Sequence, residues 1–188
     1  MNLIQIKKSL RKKIFPSDEI ITLLKKHNFK SCLDVGSGTG FFLETLYEKE
    51  IIKTGVGIEV DEKYFRKINK DLEIFSKEDL DKTNKTFDLI VFNDVLHHID
   101  QKKPFIDDYV KLLSKDGYLF IKDMNPKNPF CKYFNRLHDL IFAQEIIKEI
   151  TQNELVNHLN TFTLSDEGTK RIFLYDHYYL LLKRISNR

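Results

Sequence analysis

The sequence predicts an α/β fold, a mainly parallel sheet with helices on both faces. Three observations lead there. A glycine-rich turn, Asp34-Val35-Gly36-Ser37-Gly38-Thr39-Gly40, joins a short apolar run to a segment of helical spacing. Apolar, strand-like runs then alternate with helical segments, the pattern that builds a parallel sheet through right-handed crossovers. The length, 188 residues, suits one domain large enough to bury a proper core.

The elements follow in order. Ile4 to Phe15 reads as a basic amphipathic helix, and Pro16-Ser17-Asp18 restarts a helix running to about His27, with Ser17 or Asp18 as its cap. Residues 1–30 hold eight Lys or Arg against two acids, a local +6 in a chain of net +3. Such a patch can attract nucleic acid, an anionic membrane surface or an anionic substrate; it also reads as a solvated helix covering the sheet edge. Ser31-Cys32-Leu33 is a buried strand, and Phe41 to Tyr47 a helix. Thr54 to Asp61 is an apolar strand ending in acids, with Asp61 as N-cap of a helix over Glu62 to Ile68.

Phe87 onward is a continuous apolar run, as in a strand buried on both faces. A helix over Pro104 to Ser114, a Lys115-Asp116-Gly117 turn and a strand from Tyr118 to Asp123 complete that block. Asn125 to Asn160 is aromatic-rich with helical spacing, including Phe130, Tyr133 and Phe134. Core packing explains most of these side chains; some would also suit a mainly apolar acceptor pocket. Last come a turn at Asp166-Glu167-Gly168 and two strands, Ile172 to Tyr175 and Tyr178 to Leu182. Asp176-His177 between them reads as a turn or interrupted pairing.

Glycines are needed in a strand-to-helix turn when a ligand must approach the backbone, because a Cβ would block it. The helix N-terminus then offers N–H groups to polar parts of that ligand. A dinucleotide fingerprint would require glycine at position 41, where Phe41 stands, and no G-K-[ST] follows as in a phosphate-binding loop. An acid at the tip of the next strand, Glu59, lies 23 residues after Gly36. It suits both hydroxyls of a ribose, although an ordinary solvated strand end would look the same.

The D-x-G-x-G-x-G turn, Glu59 and the run FDLIVFNDVLHHI…LLSKDGYLFIKD together resemble the class I S-adenosylmethionine-dependent methyltransferases, specifically the small-molecule type 11/12-like branch. The resemblance covers roughly residues 30–124. It departs from the family at one turn, where Asp116-Gly117 replaces the usual Pro-Gly-Gly. It implies a Rossmann-like, mainly parallel seven-stranded sheet with a C-terminal antiparallel hairpin. One domain, 1–188, would comprise an N-terminal helical cover (1–30), a cofactor-binding core (31–124), a substrate-side helical cover (125–160) and the hairpin (161–188).

S-adenosylmethionine is the implied cofactor. Asp34 would lie beneath its methionine end, Gly36, Ser37, Gly38 and Gly40 along its path, and Glu59 with Val60 at the ribose. Asp79, preferred over Glu78, would meet the adenine amine. Asn93 would contact cofactor or acceptor, and His98 is the candidate general base. Packing or capping remains the alternative for the His97-His98 pair, and capping of the following short helix for Asp94.

Methyl displacement from a sulfonium needs no metal, and none is expected. Two distant cysteines give neither disulfide framework nor metal cluster. Absence of a membrane-length apolar stretch or secretory leader points to the cytoplasm. The Asn/Asp-Pro-Pro-Tyr motif of amino-methylating enzymes is missing, Cys131 lies at the wrong place for a pyrimidine nucleophile, and Cys32 should be buried. A small-molecule or lipid-like acceptor is favoured and nucleic acid disfavoured. Three alternatives stay open: an RNA or protein methyltransferase docking through the basic N-terminus, a silent S-adenosylmethionine-binding sensor or assembly protein, and peripheral membrane contact through the same patch.

Overall fold

The computed structural model describes residues 17–127, 150–172 and 175–185. The basic N-terminal helix, most of the aromatic cover with Cys131, and the tip between the last two strands therefore lie outside the described residues. Two compact units divide the chain, Met1–Asp88 and Leu89–Arg188.

In the first unit, α1 (Ser17–Lys25) carries Ile20, Leu23 and Leu24 on a buried face. Three parallel strands follow: β1 (Ser31–Val35), β2 (Thr54–Ile58) and β4 (Leu72–Phe75). Strand β2 pairs with β1 on one side and β4 on the other, aligning Asp34 with Gly57 and Ile58 with Phe75. Helix α2 (Phe41–Glu48) is the crossover between β1 and β2, burying Phe42, Leu43 and Leu46. Gly55 leaves room under that helix: a Cβ there would stand 2.6 Å from Leu43 Cδ1.

The helix expected over Glu62 to Ile68 does not form. Asp61 does cap, accepting from the Lys63 amide, but the turn it starts is a 3-10 turn of three residues, Glu62–Tyr64. Arg66–Lys67 is then strand β3, antiparallel to β4. This contributes to a count of eight strands among the described residues rather than seven. The apolar spacing of Tyr64, Phe65 and Ile68 fits an edge as well as a helix, and pairing with Ile74 and Glu73 decides the matter. Short helix α3 (Lys77–Asp81), capped by Ser76, completes the unit.

The second unit is built on β5 (Phe87–Asn93), β6 (Leu113–Met124), β8 (Tyr175–Arg184) and β7 (Phe162–Ile172), adjacent in that order. Leu89 to Phe92 are fully buried, as their unbroken apolar run predicts. Helix α4 (Lys102–Val110) packs on β5 through a ring cluster of Phe92, Phe105 and Tyr109. Helix α5 (Gln152–His158) opens with a capping box in which Thr151 and Glu154 satisfy each other's backbone N–H.

The C-terminal hairpin is present but longer than expected. Asp166-Glu167-Gly168 forms no turn: it runs inside β7, opposite Leu181, Leu180 and Tyr179, beside a bulge at Leu164/Asp166. Gly168 lies under the Tyr179 ring, where a Cβ would approach to 2.6 Å. Asp176 and His177 are likewise strand residues of β8, paired with Arg171 and Lys170. Lys115-Asp116-Gly117 belongs to β6. In β7 and β8 the local turn residues yield to the hydrogen bonds of a long antiparallel ladder.

Candidate functional site

The glycine turn is wound by three left-handed residues. Gly36, Gly38 and Gly40 have φ of 71°, 53° and 73°. Each alternate residue thus adopts a conformation that penalises a Cβ by about 1–2 kcal/mol. The amides of Gly36 and Ser37 both donate to Ile58 O, at 2.9 and 3.0 Å, which anchors the turn to the tip of β2. The Gly40 amide donates to Ser37 O, and Gly40 O accepts from Glu44, starting α2 without a side-chain cap.

Glu59 closes this arrangement. Its Oε2 accepts from the Gly38 amide at 2.7 Å and its Oε1 from its neighbour Val60 at 2.8 Å. One carboxylate both braces the middle glycine and is fixed in orientation at the strand tip. Arg66 braces the other flank, donating to Thr39 O at 2.6 Å and standing 3.6 Å from Glu44. Asp34 is buried at 2 % exposure at the end of β1, while Val60 projects at 93 %. The Ser37 and Thr39 hydroxyls are buried without a hydrogen-bond partner. A Cβ on Gly57 would meet Ser37 Oγ at 2.5 Å, so that glycine makes the room in which Ser37 sits. Unmet buried hydroxyls, a fixed carboxylate and a bare backbone turn together suit a polar nucleoside-type ligand.

Asp79 lies on α3, exposed, its amide donating to Ser76 Oγ and its carboxylate receiving Lys82 Nζ at 2.7 Å. The Lys82 bond foremost, then one donated by the Ser76 hydroxyl to the carboxylate, holds its pKa below the usual carboxylate range.

The second unit carries a separate polar cluster at the carboxyl ends of β5 and β6. Asn93 is the last residue of β5, half-buried, with Oδ1 covered and without a partner. Asp94 follows at φ 55°, left-handed for a non-glycine residue. It does not cap the 3-10 turn Leu96–His98, whose N-cap is Val95. Instead its amide donates to Lys122 O at 2.8 Å and its Oδ2 receives Lys122 Nζ at 2.5 Å. His177 Nε2 stands 3.4 Å from Oδ1. Burial alone would raise the Asp94 pKa, but Lys122, with His177 beside it, pulls it down to about 2. Burial and Lys122 push His177 the other way, below the usual histidine range, against Asp94 and Asp123.

A second clamp lies beside the first. Asp123 accepts the His97 amide through Oδ2 at 3.1 Å and meets His97 Nδ1 with Oδ1 at 2.6 Å. His97 is therefore a packed, carboxylate-bound histidine, with the ring of exposed His98 4.0 Å away between centroids. Lys122 and Asp123 between them hold both ends of the segment that presents Asn93 and His98. Sequence reasoning named neither. Its one available signal was a Lys-Asp pair closing a strand otherwise apolar on both faces, where buried charge must be paired. Nothing local announced His177 or Arg66. Among the described residues no three His, Cys, Asp or Glu side chains converge as a metal site, and no helix is long and apolar enough to cross a membrane.

A family model described as a methyltransferase domain matches residues 8–165. The chain belongs to this methyltransferase domain family. No curated protein sequence matches this methyltransferase. Among solved structures it is similar to an O-methyltransferase family protein from Burkholderia thailandensis, with TM-score 0.69 and 16% identity over 92% of this chain. It spans only 57% of that protein. It is also similar to magnesium protoporphyrin IX methyltransferase from Synechocystis PCC 6803 with bound SAH, with TM-score 0.71 and 17% identity over 98% of this chain and 88% of that one. A third is the plantazolicin methyltransferase BpumL in complex with a monoazolic desmethylPZN analog and SAH, with TM-score 0.69 and 14% identity over 96% of this chain and 89% of that one. These likenesses show the Rossmann-like methyltransferase fold.

Proposed function

We propose that this methyltransferase transfers the methyl group of S-adenosylmethionine to a small-molecule acceptor in the cytoplasm. The observation that carries the reading is the turn braced by Glu59: three left-handed glycines with a carboxylate locked onto the middle one. Two solved neighbours hold SAH on the same fold, which supports that choice of ligand. When bound, the cofactor supplies an electrophilic methyl on a positively charged sulfur.

The chain's residues then have binding and positioning roles. Glu59 accepts from the ribose hydroxyls with whatever lone-pair capacity its two amide bonds leave. Asp34, Gly36, Ser37, Gly38 and Gly40 line the methionine side, Val60 flanks the nucleoside and Asp79 serves the adenine amine. Asn93 orients the reacting groups. Positioning of this kind can supply much of the acceleration in a displacement that develops no oxyanion. His98 takes the proton from a hydroxyl or ammonium acceptor, a role that its exposure beside the clamped His97 supports.

Calorimetric titration with S-adenosylmethionine, S-adenosylhomocysteine and NAD in parallel tests the reading. Micromolar binding of the two sulfur nucleotides with silence from NAD is the expected result. Binding of NAD alone, or of none, would overturn it.

A further inference from the structure

A cavity of about 470 Å³ opens at the amino ends of the parallel strands of the first unit. Ser31, Thr54 and Leu72, the first residues of β1, β2 and β4, all line it. The glycine turn and Glu59 follow the carboxyl ends of β1 and β2, one strand length away, about 17 Å for five extended residues. The cavity is therefore separate from the site described above. Its size suits a small organic molecule.

The polar part of the lining has donors to spare and its acceptors are engaged. Three lysines, Lys67, Lys70 and Lys85, share the wall with the carboxylates of Asp71 and Glu73. Asp71 accepts from the Tyr47 hydroxyl at 2.7 Å, and Glu73 from Lys85 Nζ at 3.4 Å. Lys67 and Lys70 are exposed, and their ammonium groups have neither a hydrogen bond nor an ion pair among the described residues. Asn69 Oδ1 accepts from the Asp71 and Leu72 amides at 2.8 and 2.9 Å. Those bonds fix the link from β3 to β4 and leave the Asn69 Nδ2 donors uncommitted. Ser31 Oγ accepts from the Asp88 amide at 3.1 Å, so its hydroxyl still has a hydrogen to donate. The backbone adds nothing here, because the Thr54 and Gly55 amides already donate to Lys30 O and Asp71 O. Val56, Leu72 and Phe87, all buried, supply the apolar part of the wall.

An amine entering this cavity would be repelled by the lysines, and a neutral molecule would leave their charge unmatched. An anion meets both. Lysine binds phosphate as a point charge, and the three oxygens of a phosphoryl group can serve two ammonium groups and the Asn69 amide together. We propose that this cavity is a second ligand site, which takes a small organic phosphate. Its phosphoryl group lies between Lys67 and Lys70, and its compact apolar body lies against Val56, Leu72 and Phe87. The bond from Lys85 to Glu73 is long and half-exposed, a kind of pair that contributes little, so Lys85 is available as a third cation. The site goes beyond methyl transfer and does not depend on it.

The test titrates the full chain, isotope-labelled for NMR, with phenyl phosphate, phenol, benzoate and inorganic phosphate at constant ionic strength. Phenyl phosphate should shift the backbone amides of Lys67, Asn69, Lys70 and Lys85 saturably. It should bind roughly tenfold or more tighter than each of the other three probes. Lys67→Gln and Lys70→Gln combined, both at exposed side chains, should weaken it by roughly tenfold or more. Lys111→Gln, at a lysine that does not line the cavity, should leave it unchanged. Equal binding of phenol or benzoate, an unaltered Kd in the double variant, or no saturable shift would overturn the proposal. Shifts centred on Gly36 and Gly38 and reversed by S-adenosylhomocysteine would also overturn it, by putting the probe in the glycine turn. Failure of S-adenosylhomocysteine to bind falls on the proposed function alone, since the readout at the lysines needs no cofactor.

Discussion

Replacing Glu59 by alanine separates two jobs that one carboxylate performs. In the protein its oxygens accept from Gly38 N at 2.7 Å and Val60 N at 2.8 Å, so the side chain enters any complex already oriented. A hydrogen bond to a charged acceptor contributes about 1.5–3 kcal/mol net. Loss of one such bond to a ribose hydroxyl therefore weakens S-adenosylhomocysteine by roughly 10- to 150-fold in Kd. The brace on Gly38 goes too, which lowers the folding stability by about 1 kcal/mol. Glu59→Gln keeps a carbonyl acceptor for one amide and lacks the charge, so it should fall between wild type and Glu59→Ala in affinity. Calorimetry gives the affinities and a thermal melt in parallel gives the stability. A Kd for Glu59→Ala within threefold of wild type, in a protein that still melts cooperatively, would refute the ribose role and reduce Glu59 to a loop brace.

Gly57→Ala should displace Ser37, whose Oγ lies 2.5 Å from the new Cβ, and weaken the nucleotide by roughly tenfold or more because close-packed interiors do not absorb such an overlap; calorimetry reads it, and unchanged affinity would place the ligand away from Ser37. The Asp94 carboxyl, with a pKa of about 2 when folded, contributes stability that is complete above the unfolded value near pH 4 and disappears as pH falls through 2. With a third of the side chain exposed, solvent screening leaves about 1–2 kcal/mol of this. Urea unfolding at pH 5 and pH 2.5 should show a drop of about two thirds of that in wild type and a smaller one in Lys122→Met. Lys122→Met should itself lose about 1–2 kcal/mol at pH 7, since it removes the cation from a carboxylate that is a third exposed; a near-neutral effect would mean that water already serves Asp94. Burial, then the charge of Asp34, push the Cys32 thiol well above its usual pKa, and the residue is fully buried. It should resist iodoacetamide in the native protein and label only after denaturation, as peptide mass spectrometry would show.

The conformation of the glycine turn was legible because its constraint is local. Glycine at alternate positions, an acid two residues before and another at the next strand tip are chemical requirements that act within a single strand–turn–helix unit. The buried runs Leu89 to Phe92 and Leu119 to Ile121 were legible for the same reason: continuous apolar sequence has few other uses. What escaped depends on partners far along the chain. Asp94 meets Lys122 and His177 only because β6 and β8 pair in one register, aligning Met124 with His177. Asp166-Glu167-Gly168 reads as a turn in isolation and is straightened by ten residues of ladder with β8. His98 was named as the base from the His pair alone; burial distinguishes the two, placing His97 inside against Asp123 and leaving His98 outside.

Arg66 reaches Thr39 from a strand only two residues long. Had Glu62 to Ile68 coiled into the helix their spacing suggests, that guanidinium would sit on a different spiral and the glycine turn would lose its outer buttress. The peripheral ribbon is thus tied to the shape of the glycine turn, and its length is under constraint even though it borders solvent. Anyone grafting this turn onto another sheet, or trimming the chain to a minimal binder, would have to carry the ribbon along with the glycines.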